Sequence, residues 1–156
     1  MLIILEGPDG SGKTTLATKI SKQTGYPILH FAQPKTDEEK QGMFDEYYKL
    51  ARKNYTKNVI LDRCWYSEMV YGPIMRDKSY ITYPQMYLLE QQLCKHGAML
   101  IYCTAHMSTL WDRCQARGES YVLAWETFRS ICKEFDNVIN NVPHHIPVVT
   151  YEYKDM

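Results

Sequence analysis

The sequence predicts an α/β fold: a five-stranded parallel sheet covered by helices on both faces. Three observations carry that expectation. Short apolar runs of strand length alternate with stretches of helical periodicity along all 156 residues. The first apolar run, Leu2-Ile3-Ile4-Leu5, feeds directly into a glycine-rich turn that opens a helix. Glycines follow several of the helical stretches, at Gly25, Gly97 and Gly118, where a helix end is expected to take a positive φ.

Taken in order, strands are expected over 2–5, 28–31, 59–61, 99–103 and 147–151, each a run rich in Ile, Leu, Val or aromatic residues. The helix after the turn spans 14–23 and stops at Gly25. A second helix, 37–53, has Thr36 as its N-cap and acidic residues at its positive end. A short helix covers 67–71, a longer one 83–95, and another 108–117. The last runs from about 124 to 140, with Trp125, Phe128, Ile131, Cys132, Phe135, Val138 and Ile139 on one face. There is no repeat, linker or low-complexity tract, so residues 1–156 read as one domain.

The turn itself reads Gly7-Pro8-Asp9-Gly10-Ser11-Gly12-Lys13-Thr14, the G-x-x-x-x-G-K-[ST] pattern of a phosphate-cradling P-loop. Glycines let backbone N–H groups converge on phosphate oxygens without Cβ clashes. Lys13 brings a positive charge to the outer phosphates, and the Thr14 hydroxyl suits Mg²⁺. The strand before and the helix after raise the pattern from a string match to a site for a nucleotide's phosphates.

Bulk properties exclude other classes. Eighteen basic and eighteen acidic residues leave no net charge and form no long run of one sign, so no nucleic-acid partner is expected. Five scattered cysteines, an odd number without a C-x-x-C pair, read as reduced thiols of a cytoplasmic protein. Residues 1–5 are too short and lack a basic leader, so no signal peptide is expected, and no apolar stretch reaches membrane-spanning length. His144-His145 are adjacent, do not share a helix face and have no evident third partner, so they do not read as a metal site.

A second motif follows the third strand: Asp62-Arg63-Cys64-Trp65-Tyr66-Ser67-Glu68-Met69-Val70-Tyr71. With the P-loop, and with Leu110-Trp111-Asp112-Arg113-Cys114-Gln115-Ala116-Arg117-Gly118-Glu119 further on, the chain resembles the thymidylate kinases, within the nucleoside monophosphate and deoxynucleoside kinases. The family's Asp-Arg-aromatic motif matches at Asp62, Arg63, Ser67 and Tyr71, with Cys64 where an aromatic is usual. The resemblance covers nearly the whole chain in order. It implies a P-loop kinase fold, ATP and Mg²⁺, a deoxynucleoside monophosphate as acceptor, and homodimers of the kind thymidylate kinases commonly form.

The resemblance also implies roles. Gly7, Asp9, Gly10, Ser11, Gly12, Lys13, Thr14 and Thr15 would hold ATP. Asp9 would meet the acceptor sugar's 3′-hydroxyl and help hold the metal, Phe31 would stack on the base, and Arg52 would correspond to a base-contacting arginine. Tyr71 would lie beneath the sugar, and Glu68 stands near the acceptor ring where relatives often carry a small or amide residue. Packing aromatics remain the alternative for Phe31 and Tyr71. A strand-end position brings Asp9, Gln33, Asp62 and Arg63 to one crevice, where the Arg63 fork suits a phosphate. Asp62 would hold Mg²⁺ through water or orient Arg63.

Position 10 is glycine, where one branch of the family carries an arginine. The positive charge needed at the transferring phosphoryl is therefore expected from Arg113 and Arg117, which share a helix face at i, i+4 and lead into a short lid over 117–123. The expected activity is transfer of the γ-phosphate of ATP to a deoxynucleoside monophosphate, dTMP or a related pyrimidine. Two alternatives stay open: a deoxynucleoside kinase acting on a 5′-hydroxyl, and a nucleotide-binding switch or ATPase. The first usually carries an acid after the second strand, whereas here the run is Phe31-Ala32-Gln33-Pro34-Lys35.

Overall fold

The computed structural model describes residues 1–31, 34–53, 58–76, 78–117 and 124–154. Strands β1 (Leu2–Glu6), β2 (Ile28–His30), β3 (Val59–Asp62), β4 (Ala98–Thr104) and β5 (Val148–Glu152) form one parallel sheet in the order β2-β3-β1-β4-β5. The central strand β1 is buried on both faces, which is why it reads as an unbroken apolar run. Its alternation still sorts the core: Leu2 and Ile4 pack with one hydrophobic cluster, Ile3 and Leu5 with another on the opposite face.

Helix α1 (Lys13–Thr24) covers the second of these faces through Leu16, Ala17 and Ile20. It ends at Gly25, whose φ of 78° lets its N–H reach the Ser21 carbonyl. The other face carries α3 (Met43–Arg52), α4 (Trp65–Met75), α5 (Tyr83–Cys94) and α7 (Trp125–Asn140). α6 (Met107–Ala116) packs on α7 through Leu110, Trp111, Phe128 and Cys132. None of the described helices is long and apolar enough to cross a membrane.

Two expectations about helices are corrected. The predicted 37–53 helix is two helices, α2 (Asp37–Gln41) and α3, parted at Gly42. Thr36 does cap α2, in a reciprocal capping box with Glu39. Gly42 then closes α2 by donating to the Glu38 carbonyl and opens α3, accepting from the N–H of Glu46. The predicted short helix 67–71 is eleven residues long and runs through Gly72-Pro73. Those residues look like terminators in isolation, yet burial of Trp65, Tyr66, Met69 and Val70 against the core carries the helix past them. Gly118, expected to close α6, lies outside the described residues.

Register brings the chemistry-bearing ends level. Leu5 of β1 pairs with Asp62 of β3, His30 of β2 pairs with the same Asp62, and Glu6 pairs with Tyr102 of β4. The loops after β1 and β3 therefore open into one crevice at the carboxyl edge of the sheet.

Candidate active site

β1 delivers the chain into the P-loop with no room to spare. A Cβ on Gly7 would stand 2.0 Å from the Cys103 carbonyl oxygen of β4, so only glycine fits there. Gly12, at φ 83°, lies against Tyr153, whose ring would be 2.9 Å from an added Cβ. Inside the loop, Lys13 is buried and its ammonium donates to the carbonyls of Gly7 (2.8 Å) and Pro8 (2.9 Å). Ser11 Oγ lies 3.4 Å from the same Nζ, and the Ser11 N–H closes a turn on the Pro8 carbonyl. Burial, helped by the nearby Arg63 charge, pulls the Lys13 ammonium down to about 8 against the opposing carboxylates of Asp9 and Glu6.

The second half of the site follows β3. Arg63 sits in the left-handed region at φ 66°, the single non-glycine residue there among those described, and its N–H still pairs with Leu5 of β1. Its guanidinium donates from Nη2 to Asp9 Oδ1 at 2.6 Å and from Nη1 to Ser67 Oγ at 2.9 Å. The same group lies over the Tyr71 ring, 5.4 Å from the centroid, and Tyr71 in turn packs edge-on against Phe135.

Beneath this arrangement is Glu6, fully buried at the end of β1. Its carboxylate accepts the Cys64 N–H (2.9 Å), and Ser67 Oγ donates to it with both oxygens at 3.0 Å. The Ser67 hydroxyl thus links Glu6 to Arg63. Burial pushes the Glu6 carboxyl up to about 7, against the lowering pull of Arg63, the Cys64 N–H, Ser67 and Lys13. Glu6 is absent from the sequence-based site. Its one signal is a charged residue closing an otherwise apolar buried strand.

Two cavities meet at these residues. One, about 210 Å³, is the hollow over the P-loop, with Gly10, Gly12, Lys13, Thr14, Thr15 and Arg117 on its walls. The other, about 600 Å³, extends between α3 and α4 past Met43, Tyr47, Glu68 and Arg76. Asp9, Phe31 and Arg63 line both. Phe31 also packs on Tyr47, with ring centroids 5.4 Å apart.

At the floor of the smaller cavity, Thr14 Oγ1 lies 3.5 Å from Asp62 Oδ2, and the His30 Nδ1 is 3.1 Å from the same oxygen. A hydroxyl and a carboxylate so placed fit a small hard dication that keeps most of its own waters.

The predicted residues separate as follows. Gly7, Asp9, Gly10, Ser11, Gly12, Lys13, Thr14, Thr15, Phe31, Asp62, Arg63, Ser67, Glu68 and Tyr71 all belong to the loop or to the walls of the two cavities and their support. Arg52 does not. It is exposed at the end of α3 with its guanidinium over Tyr48, one turn back, because α3 turns Met43 and Tyr47 toward the cavity instead. Of Arg113 in α6 and Arg117 at its C-cap, only Arg117 lines the smaller cavity. Arg113 donates to the carbonyls of Gly10 (2.9 Å) and Tyr153 (3.2 Å) and lies over the Tyr153 ring at 4.5 Å. It braces the P-loop from behind, which corrects its expected place at the transferring phosphoryl. Gln33 and residues 118–123, the expected lid, lie outside the described residues.

A five-stranded parallel sheet with this loop, this crevice and a guanidinium between two cavities defines a P-loop kinase, built for phosphoryl transfer on nucleotides. The sequence profile of the polyphosphate kinase 2 family matches residues 1–132, and the chain belongs to that family. It is 36% identical over 147 residues to the SPbeta prophage-derived protein YorR of Bacillus subtilis, spanning 92% of this chain and 85% of that one. A crystal structure of YorR in complex with phosphorylated GDP superposes with a TM-score of 0.80 at 30% identity, over 97% of this chain and 85% of YorR. Deoxyguanosine kinase of B. subtilis is 26% identical over an alignment of 181 positions, covering 95% of this chain and 83% of that enzyme. Deoxyadenosine kinase from M. mycoides, solved with bound dCTP, shares the fold at a TM-score of 0.57 and 22% identity, over 97% and 90% of the two chains.

Proposed function

We propose that the chain transfers the γ-phosphoryl group of ATP to the phosphate of a deoxynucleoside monophosphate, with dTMP as the first candidate acceptor. The observation that carries the reading is the position of Arg63, between a phosphate hollow and a nucleoside-sized cavity and lining both. ATP phosphates would occupy the hollow of Lys13 and Thr14, and the acceptor's phosphate would meet the Arg63 fork. The bond between the γ-phosphorus and its bridging oxygen breaks to leave ADP, while an acceptor phosphate oxygen forms the new bond. That oxygen is already ionised, so no residue need remove a proton.

Mg²⁺, when bound, would neutralise charge on the ATP phosphates, held by the Thr14 hydroxyl and, through water, by Asp62. Lys13 leaves the loop carbonyls to meet phosphate oxygens, Asp9 and Ser67 hold the Arg63 fork in place, and Arg117 offers its charge from the hollow's wall. Tyr71 and Phe31 supply flat apolar surface for the acceptor's sugar and base.

A second reading, phosphorylation of a deoxynucleoside 5′-hydroxyl, is favoured by the similarity to deoxyguanosine kinase. It needs a general base, and the run Phe31-Ala32-Gln33-Pro34-Lys35 offers none. ADP release measured with dTMP, thymidine, deoxyguanosine or no acceptor separates the two. Release that depends on the monophosphate is expected. Use of a nucleoside with no use of a monophosphate overturns the reading, as does release that ignores every acceptor. Replacing ATP by inorganic polyphosphate in the same assay tests the donor that the family's name carries.

A further inference from the structure

Beneath the crevice lies a cluster of four charged groups, of which the transfer chemistry leaves Glu6 unused. Lys13 and Arg63 are its cations, Asp9 and Glu6 its carboxylates. The other titratable groups that feel Glu6 are the phenols of Tyr47 in α3 and Tyr71 in α4 and the thiols of Cys64 and Cys103. Burial raises all four, so they stay neutral near pH 7. Within the cluster the charges therefore balance, two against two. A phosphate entering over Lys13 and Arg63 upsets that balance where water screens little. Asp9 is 23% exposed and borders both cavities, so solvent and ligand can reorganise around it. Glu6 is fully buried and held by the Cys64 N–H and the Ser67 hydroxyl, so it has nowhere to turn.

We propose that Glu6 takes up a proton when phosphate oxygens enter the crevice, offsetting the charge they bring without any buried group having to move. A solvent proton adds to a Glu6 oxygen and leaves a neutral carboxyl; no other bond changes. Ser67 supplies the route. It lines the larger cavity, and its hydroxyl lies 3.0 Å from both Glu6 oxygens, so a proton received from cavity water is passed on from the same atom. Ser67 Oγ also accepts from Arg63 Nη1, which sets the relay directly under the guanidinium. The acidity of the group agrees with the geometry: burial holds the carboxyl at about 7, where added negative charge nearby tips it to the neutral form. The sign follows from the proton count. The bound site holds more protons, so the affinity that Glu6 adds grows as pH falls toward 7 and levels off below it. The part played by an acceptor's phosphate rests on the monophosphate-kinase reading above; the part played by ATP rests on the P-loop alone.

The test is infrared difference spectroscopy of the full chain at about pH 7.5, just above the Glu6 value, with a non-hydrolysable ATP analogue and then with dTMP added. The carbonyl stretch of a protonated carboxyl should grow on binding in the wild type and be missing in Glu6→Gln. Calorimetric titration in two buffers of unlike ionisation heat should show the wild type taking up about 0.3 of a proton or more beyond Glu6→Gln. The comparison removes the protons exchanged by Lys13 and by the ligand itself. Should Glu6→Gln fail to fold, wild type labelled with carbon-13 at its glutamate carboxyls answers alone: one buried carboxyl resonance moves to the protonated position on binding. A Glu6 that is merely structural moves neither readout. No growth of the protonated signal in the wild type, a signal that persists in Glu6→Gln, or equal proton uptake by the two proteins overturns the proposal. Growth with the ATP analogue in a protein that does not bind dTMP keeps the Glu6 reading and sinks the acceptor proposed above.

Discussion

Arg63 Nη2 and Asp9 Oδ1 stand 2.6 Å apart, joining the loop after β3 to the P-loop across 54 positions of sequence. Each is only about a quarter exposed, at 23%. Burial disfavours the Arg63 charge, but Tyr71, Asp9 and Glu6 more than offset it and hold the guanidinium above its ordinary value. The group therefore stays a cation with its fork aimed at the junction of the two cavities. Its backbone conformation, φ 66°, is the cost of that aim.

Arg63→Ala should lower kcat/KM for the monophosphate by at least about a hundredfold while leaving ATP-analogue affinity within about threefold. Equal loss at both substrates would assign Arg63 a structural role instead. Arg63→Gly loses the same contacts but accepts a positive φ, so it should be more stable to urea than Arg63→Ala by about 1 kcal/mol. If Ala proves the more stable of the two, the backbone is not strained at this position.

Lys13→Ala should cost at least about a hundredfold in turnover in a folded protein. The pH dependence is more specific. Burial and the Arg63 charge hold the free ammonium near 8, and phosphate oxygens favour its charged form. Binding ATP then takes up a proton above that pH, so affinity should fall by up to about tenfold per pH unit beyond 8. A flat affinity from pH 7 to 9.5 would remove Lys13 from the phosphate contact.

The strands, the P-loop and Arg63 are legible in the sequence because each depends on local pattern: buried runs, a spaced glycine turn, a charged pair at a strand end. Glu6 is not, because a single carboxylate ending a strand reads as the edge of the loop until Cys64 and Ser67 arrive from 58 and 61 positions away. The ion pair of Glu68 with Arg76 on the larger cavity's wall depends on α4 running through Pro73, which local propensity opposes and burial of Trp65 and Val70 overrides. Arg52 fails for a related reason. Gly42 breaks the predicted helix, and α3 presents Met43 and Tyr47 to the cavity rather than its last arginine.

His144, expected to be silent as a metal ligand, is buried in a setting that favours the charged imidazolium. Its Nδ1 lies 2.6 Å from Glu90 Oε2, and its Nε2 faces the Ile139 carbonyl at 2.9 Å and the Val138 carbonyl at 3.2 Å. Both ring nitrogens face acceptors, an arrangement that favours a proton on each. Burial alone would depress the imidazolium, but the Glu90 carboxylate and the α7 carbonyls outweigh it and raise it above 6.5. The raised group contributes stability that is fully present below its unfolded value and lost as pH rises through the folded one. The unfolding free energy of the wild type minus that of His144→Gln should therefore shrink as pH climbs above 6.5. A difference that is flat or grows contradicts the charged assignment. Comparing the two proteins also cancels the opposite trend from Lys13, whose lowered value adds stability as pH rises.

Arg113 of α6 and Arg117 at its C-cap should separate in their kinetics, although they stand one helical turn apart. Arg117 lines the hollow over the P-loop, where, on the proposed function, its charge would act on the transferring phosphoryl group as the three outer oxygens spread their charge. Such an interaction belongs chiefly to the transition state. Arg117→Ala should lower kcat by roughly a thousandfold with little change in nucleotide affinity, and Arg117→Lys should recover only part, keeping the charge but not the fork. Arg113 instead holds the Gly10 carbonyl and the Tyr153 carbonyl just beyond β5, so its loss loosens the loop before any chemistry begins. Arg113→Ala should weaken ATP-analogue binding and lower thermal stability together, with kcat at saturating ATP changed far less than in Arg117→Ala. If Arg113→Ala instead lowers kcat selectively while Arg117→Ala stays within about twofold of wild type, the two assignments are reversed.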